Sequence, residues 1–268
     1  PNLRDSWSSI AAVLLVTVVL FMLNETRQGR LAQTTIVELS PGIDIALRAD
    51  PAGMIFGGLA SGLWVLAGVY AVGYMRGGHE HKQTRFFCAF ALSISAAIGV
   101  ALAENLLTFV LFYELLTLST YPLVTHRETE EAIVAGRKYL AYTLSGGLLL
   151  IGATAWVHVL GIDATFSAGG FLHHAELSQA TQWGLFGMLA LGVGVKAAVM
   201  PLHSWLPSAM VAPTPVSALL HAVAVVKAGV FGIVRVMVFV FGSALLQEMG
   251  AWIVVAVMSG ATIVIGST

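Results

Sequence analysis

Eight windows of roughly 20 predominantly apolar residues, each the length that crosses a hydrocarbon core as a helix, constrain this chain more than any other feature. They run from about 7 to 23, 51 to 74, 86 to 103, 105 to 124, 139 to 160, 181 to 200, 215 to 241, and 250 to the end. Backbone in lipid must satisfy its own hydrogen bonds, so the windows read as helices. The fold class is therefore an all-α, polytopic transmembrane bundle of about eight spans. The 268 residues are 57% hydrophobic and 10% charged, against about a quarter charged in soluble domains, which supports the same reading.

The segment from 24 to 50 breaks this pattern. "TTIVELSPGIDIALRAD" alternates apolar and polar residues around Pro41-Gly42, and predicts a short hairpin outside the membrane. Between the fourth and fifth windows, Thr125 and Glu128 have capping-box spacing and Arg127 and Glu131 helical spacing. These predict an interfacial amphipathic helix leading into a span. If the first window starts on side one, that side collects Arg4, Arg76, Lys82, Arg85, Arg127, Arg137 and Lys138, against Arg27, Arg30 and Arg48 on side two. Side one is the expected cytoplasmic face.

Thirteen Lys and Arg against fourteen Asp and Glu give a net charge of −1, with no basic footprint for nucleic acid and no acidic tail. Partners are expected within the bilayer. Cys88 is the single cysteine, which excludes an internal disulfide framework and a thiolate set for an iron–sulfur or zinc site. No cofactor is expected. The polar opening "PNLRDSW" lacks the charged leader of a signal peptide. A start at Pro1 and an end at Thr268 inside an apolar run read as a piece of a longer protein.

Four ionisable residues lie deep within apolar runs: Glu114, Lys196, His221 and Lys227. A charge at mid-bilayer is unfavourable by roughly 2.5 to 3.5 kcal/mol on insertion scales, so such residues usually face protein or water. Glu114 and Lys196 can serve as an inert ion pair that fixes helix register. Buried pairs, however, often stabilise no better than apolar packing, which weakens that reading. The alternative is a switchable proton site, because burial makes an ammonium easier to deprotonate and a carboxylate at variable distance opposes this. His221 and Lys227 stand six residues apart, a helical rise of about 9 Å, so water must bridge them if they act together. His221 reads either as a proton relay or as a packed hydrogen bonder. Arg235, nearer a helix end, is expected to snorkel and is at most an accessory position.

Gly192 and Gly194 precede Lys196 and Pro201 follows it, which predicts a broken helix near 196 to 201. Discontinuous membrane helices are where transporters place ion sites. "GVGVK" lacks the spacing of a phosphate-binding loop and follows no strand, which excludes nucleotide binding. Pro201, Pro207, Pro213 and Pro215 then prevent one continuous helix, and Thr214-Pro215 reads as the N-cap and first turn of the next. His203, in the connection, reads equally as the mouth of a proton path or as a backbone cap. The "HEH" at 79 to 81 and His173-His174 read as solvated loop histidines on opposite sides of the membrane rather than a metal site.

From "ENLLTFVLFYELLTLSTYPL" through "VKAAVMPLHSWLPSAMVAPTPVSALLHAVAVVKAG", the chain closely resembles a family of membrane subunits. These are the antiporter-like subunits of respiratory complex I, of Mrp-type cation/proton antiporters and of membrane-bound hydrogenases. The resemblance covers about residues 50 to 240 and implies about fourteen spans with two inverted five-helix repeats, each half of a proton channel. It assigns residues 1–85 to N-terminal helices and the hairpin, 86–241 to the first half-channel repeat, and 242–268 to the start of a second. It also implies that Glu114 and Lys196 form a switch pair, and that His221 and Lys227 relay protons sideways to the second half.

The leading expectation is a proton-translocating subunit of an ion-pumping complex in a bacterial cytoplasmic (inner) membrane, with other membrane subunits as partners and no chemistry of its own. A proton is expected to reach Lys196 from the cytoplasmic side and to move on through Lys227 and water. An alternative is a structural assembly subunit with inert buried ion pairs. A carrier for an organic solute is disfavoured, because no polar pocket with aromatic gating is evident. No oxygen-rich cage marks a sodium site, which leaves protons, with or without Na+, as the transported ions.

Overall fold

The computed structural model describes residues 2–40 and 42–266. Each apolar window is helical over most of its described residues. The first five helices are α1 (Asn2–Arg27), α2 (Pro51–Gly77), α3 (Gln83–Leu102), α4 (Leu106–Val124) and α5 (Glu130–Val159). Helix α6 (Gln179–Lys196) and the short α7 (Trp205–Ala209) follow. One long bent helix then runs Thr214–Met249, and α11 (Ala251–Gly266) returns across the layer. Within the bent helix, α8 (Thr214–Ala218), α9 (Val225–Val234) and α10 (Gly242–Met249) are separated by π-helical turns at Leu219–Val223 and Arg235–Phe241. Among the described residues, six helices are long and apolar enough to cross a membrane. The predicted 181 to 200 span is cut to an 18-residue helix by its own break, and α11 is described over 16 residues.

The hairpin is present as β1 (Gln33–Ser40) and β2 (Ile43–Arg48), paired antiparallel. Gly42 takes a positive φ of 79° in its turn, and Pro41 lies outside the described residues. The hairpin does not stand free of the helices. Ala46 N donates to Thr108 Oγ1 at 3.0 Å, Glu104 N donates to the Ala46 carbonyl at 3.1 Å, and Asn105 Nδ2 reaches the Asp44 carboxylate at 2.9 Å. These bonds seat it over the α3–α4 junction. At the opposite face, buried Asp5 of α1 accepts from Arg4 and Arg76, which ties α1 to α2.

Helix starts follow side-chain caps: Asp50, Asn105, Thr129 and Ser178 each accept from a main-chain N–H three residues on. The predicted capping box at Thr125 is therefore displaced. Thr125 ends α4, Glu128 sits at a positive φ of 57° that no helix accepts, and Thr129 caps α5 by accepting from Ala132 N at 3.2 Å. Arg127 precedes the helix and donates to the Val211 carbonyl at 3.2 Å instead of meeting Glu131. Thr214 likewise makes no cap. The Pro213 carbonyl accepts from Val216 N at 2.8 Å and so closes the first turn one residue earlier than predicted.

One continuous core of Phe, Leu, Val and Ala joins α2 through α10, with Tyr113, Tyr139 and Trp205 fully buried at its centre. Much of α1 and α11 presents apolar side chains outward, the pattern of a surface facing lipid or neighbouring helices.

Candidate functional site: a buried lysine and carboxylate beside a broken helix

The asparagine cap starts α4 at the hairpin side, and eight residues on the helix turns Glu114 toward α6. Helix α6 ends on Lys196, whose side chain is 0% exposed and whose Nζ lies 3.3 Å from Glu114 Oε1. The ammonium also donates to the Tyr113 carbonyl and sits 3.5 Å from the centroid of the Tyr113 ring. Tyr113 in turn donates its hydroxyl to the Val193 carbonyl at 3.1 Å, one turn before the lysine. The lysine thus has a carboxylate, a carbonyl and an aromatic face within reach. Glu114 is less enclosed. Its side chain is 16% exposed, and Oε2 has no hydrogen-bond partner among the described residues.

Two glycines make room for this arrangement, and neither was singled out from the sequence. A Cβ on Gly147 of α5 would stand 2.4 Å from Glu114 Cδ, so the carboxylate occupies the space a side chain would take. A Cβ on Gly229 of α9 would stand 2.1 Å from Ala197 N and 2.5 Å from the Lys196 carbonyl carbon, so α9 packs directly against the broken end of α6. The pairs "GG" at 146–147 and "KAG" at 227–229 were visible. What a Cβ would strike depends on tertiary packing.

The predicted break is present. Ala197 caps α6, Ala198 takes a positive φ of 55°, and the chain runs through turns to α7. Gly192 and Gly194 are buried in the last turns of α6, where Gly192 packs on Leu150, and Pro201 lies beyond the break in the connection. The carbonyls freed at the helix end are partly recovered by Trp205, whose indole N–H donates to the Val195 carbonyl at 2.8 Å. Trp205 also packs its ring 5.3 Å from Tyr139. Val199 N donates to the Gly194 carbonyl and Met200 N to Thr262 Oγ1, both at 3.1 Å.

The remaining predicted residues lie apart from the pair. His221 sits in the first π-helical turn, half-buried, with Nε2 lacking a partner. Lys227 is exposed on α9, beyond the distorted backbone of Ala224. Among the described residues, no hydrogen bond or ion pair joins either one to Glu114 or Lys196. His203, half-buried in the connection after the break, has an unpartnered Nδ1.

Arg235 does not snorkel. It is 1% exposed, pairs with Asp50 Oδ2 at 2.6 Å, and lies 4.8 to 4.9 Å from the rings of Phe166, Phe231 and Phe239. Burial follows from the second π-helical turn and from the loop after α5, where Phe171 N and Leu172 N donate to the carbonyls of Phe239 and Val240. Asp50, at the foot of α2, was not singled out from the sequence.

A cavity of about 380 Å³ reaches Glu114 from the hairpin side, lined among others by Asn105, Val110, Thr154, His158 and Asp163. The Arg235–Asp50 pair is instead buried against the rings of Phe166, Phe231 and Phe239.

His79 and His81 of the first loop are exposed, as the sequence predicts. His81 stacks on His126, which follows α4, with ring centroids 5.1 Å apart. His173 and His174 remain exposed.

The family model described as "NADH:quinone oxidoreductase/Mrp antiporter, TM" matches residues 103–268. A curated relative, Na(+)/H(+) antiporter subunit A1 of Staphylococcus aureus, is 34% identical over 233 residues, which are 83% of this chain and 28% of that one. The chain therefore spans about 28% of the length of the curated relatives it matches. The structure of the Mrp complex from Dietzia sp. DQ12-45-1b contains a similar chain, with a TM-score of 0.78 at 25% identity, covering 92% of this chain and 27% of that one. The archaeal membrane-bound sulfane sulfur reductase shares the fold, with a TM-score of 0.74 at 20% identity, covering 87% of this chain and 47% of that one.

Proposed function

The chain belongs to the NADH:quinone oxidoreductase/Mrp antiporter transmembrane family, and from that premise we propose that it translocates protons as part of a subunit of a multisubunit ion-pumping complex. It is an integral membrane, antiporter-like chain of this family. The observation that carries the finer reading is the 3.3 Å contact between fully buried Lys196, at the broken end of α6, and Glu114.

The chemistry follows from distance and burial. A carboxylate at contact stabilises the ammonium form of the lysine. Drawn away, it leaves a buried cation with a carbonyl and a ring but no counter-charge, and the proton leaves more readily. The turns from Ala197 to Ser204 supply a joint at which a neighbouring subunit can change that separation. The lysine then exchanges protons toward the relay, in which Lys227 and His221 pass them sideways through water. Glu114 meets the cavity on the hairpin side, which supports proton exchange at that face of the membrane as well as at the face of His203. Sodium is proposed as the counter-transported ion on the strength of the Staphylococcus aureus relative, which is named a Na(+)/H(+) antiporter subunit.

The inert-pair reading fits a different pair of residues. Arg235 and Asp50 are both buried and enclosed, and we assign them to assembly. Glu114 borders a cavity, which such a role does not require. The test is proton transport by the assembled complex carrying Lys196→Ala. Loss of transport with normal subunit composition is expected, and unchanged transport overturns the assignment.

A further inference from the structure

Two short turns lie side by side on the membrane face opposite the hairpin, held together by Glu128. Its carboxylate accepts from Lys82 Nζ at 2.7 and 2.6 Å and from Arg85 Nη1 at 2.6 Å, while Arg85 Nη2 donates to the His126 carbonyl at 3.2 Å. Positive φ values of 49° at His79, 49° at Lys82 and 57° at Glu128 fold both turns tightly. The consequence is a cluster formed across the two turns: Glu80, His81 and His126 each bring a ligand atom within 4.8 Å of the others.

His126 is the informative member. It is 0% exposed, yet among the described residues neither ring nitrogen makes a hydrogen bond of ordinary geometry, although one faces the His81 main-chain carbonyl as an acceptor. Stacking on His81 and an edge contact with Phe86 at 5.3 Å account for the position of the ring. They do nothing for two buried nitrogens, and an unpaired buried polar atom is a cost that native structures rarely leave unmet.

We propose that Glu80, His81 and His126 form a binding site for a divalent transition-metal cation of the zinc class, with solvent completing the coordination. Two imidazoles and one carboxylate are a ligand set of zinc, whereas magnesium and calcium prefer oxygen alone. Ligand bonds of about 2.0 to 2.1 Å place tetrahedral ligand atoms about 3.3 Å apart, so the cluster must contract from its present spacing. The exposed His81 and half-buried Glu80 have the freedom to do so, while the buried His126 stays fixed. Lys82 and Arg85 do not oppose the cation strongly, since Glu128 already engages both. A bound cation would tie the α2–α3 turn to the α4–α5 turn, and Arg127 already links the latter to Val211 beyond α7. This site does not depend on the proton-transfer reading.

The experiment is zinc binding by the purified, chelator-stripped complex, titrated with Zn2+ alone against a chromophoric chelator, with Co2+ absorption reporting the ligand field. The expected result is one tight site per copy of this chain, with affinity falling at least about tenfold in His81→Ala and in Glu80→Gln. His79→Ala, at an exposed neighbour outside the cluster, should bind as wild type. His126→Gln tests the buried ligand, with subunit composition as its folding control. A wild-type complex without a tight site overturns the proposal. So does a His81→Ala complex that binds like His79→Ala, or tight binding that persists in a correctly assembled His126→Gln complex.

Discussion

Gly147 of α5 faces the Glu114 carboxylate so closely that an added Cβ would lie 2.4 Å from Glu114 Cδ and 2.5 Å from Oε1. The position of the acid in the Glu114–Lys196 pair is therefore set by a missing side chain on a neighbouring helix. Gly147→Ala should displace the carboxylate while leaving helix propensity slightly improved. The expected outcome is proton transport reduced at least about tenfold, the loss that small misplacements of a reacting group produce, in a complex of normal composition. Gly229→Ala should act differently, because its Cβ meets main-chain atoms of Lys196 and Ala197 that cannot rotate away. Reduced assembly, read from the amount of purified complex, is expected there.

Trp205→Phe keeps an aromatic ring against Tyr139 but removes the N–H that serves the Val195 carbonyl. Ala198 N still donates to that carbonyl at 3.0 Å, so the loss is that of one hydrogen bond, about 0.5–1.5 kcal/mol. Thermal unfolding of the complex should shift downward accordingly, with amide exchange accelerating first in the turns between α6 and α7.

Arg235→Met should leave Asp50 buried without its cation, and breaking such a pair typically costs about 3–5 kcal/mol. Asp50→Asn leaves the converse problem, although the amide can still cap α2. The double variant Arg235→Met with Asp50→Asn should recover much of the loss in thermal stability while transport stays near wild type. A double variant that assembles but cannot transport would move this pair from assembly into the proton path.

The Glu128 clamp gives a pH signature. Lys82, then Arg85, depress its carboxyl from the ordinary 4.5 to about 2. The stabilising contribution is thus present above about pH 4.5 and is lost as pH falls through about 2. Amide exchange in the two turns should rise over that interval, and Glu128→Gln should show the fast exchange at every pH.

Some of this architecture was legible because the bilayer punishes exceptions. Eight windows gave the helices, and the cost of charge in lipid singled out Glu114 and Lys196 before any contact was known. The glycines and Pro201 located the break for the same reason, since each disfavours continued helix. Arg235 was misread because nearness to a helix end implies snorkelling only where no partner is available. Asp50 and three aromatic rings come from segments distant in sequence. His126 escaped notice because Thr125 and Glu128 imitate a capping box around it, whereas Glu128 at positive φ is committed to Lys82 and Arg85. Gly147 and Gly229 are silent in sequence, because only their neighbours reveal why a side chain is forbidden there.

The central claim is that Glu114 and Lys196 exchange a proton and do more than hold two helices together. The measurement that tests it most directly is proton flux through the assembled complex in sealed vesicles, comparing wild type with the neutral, near-isosteric pair Glu114→Gln and Lys196→Met. The account predicts normal subunit composition and thermal stability with proton flux lost. Wild-type flux through the neutral pair would contradict it and leave the two residues as helix-packing elements.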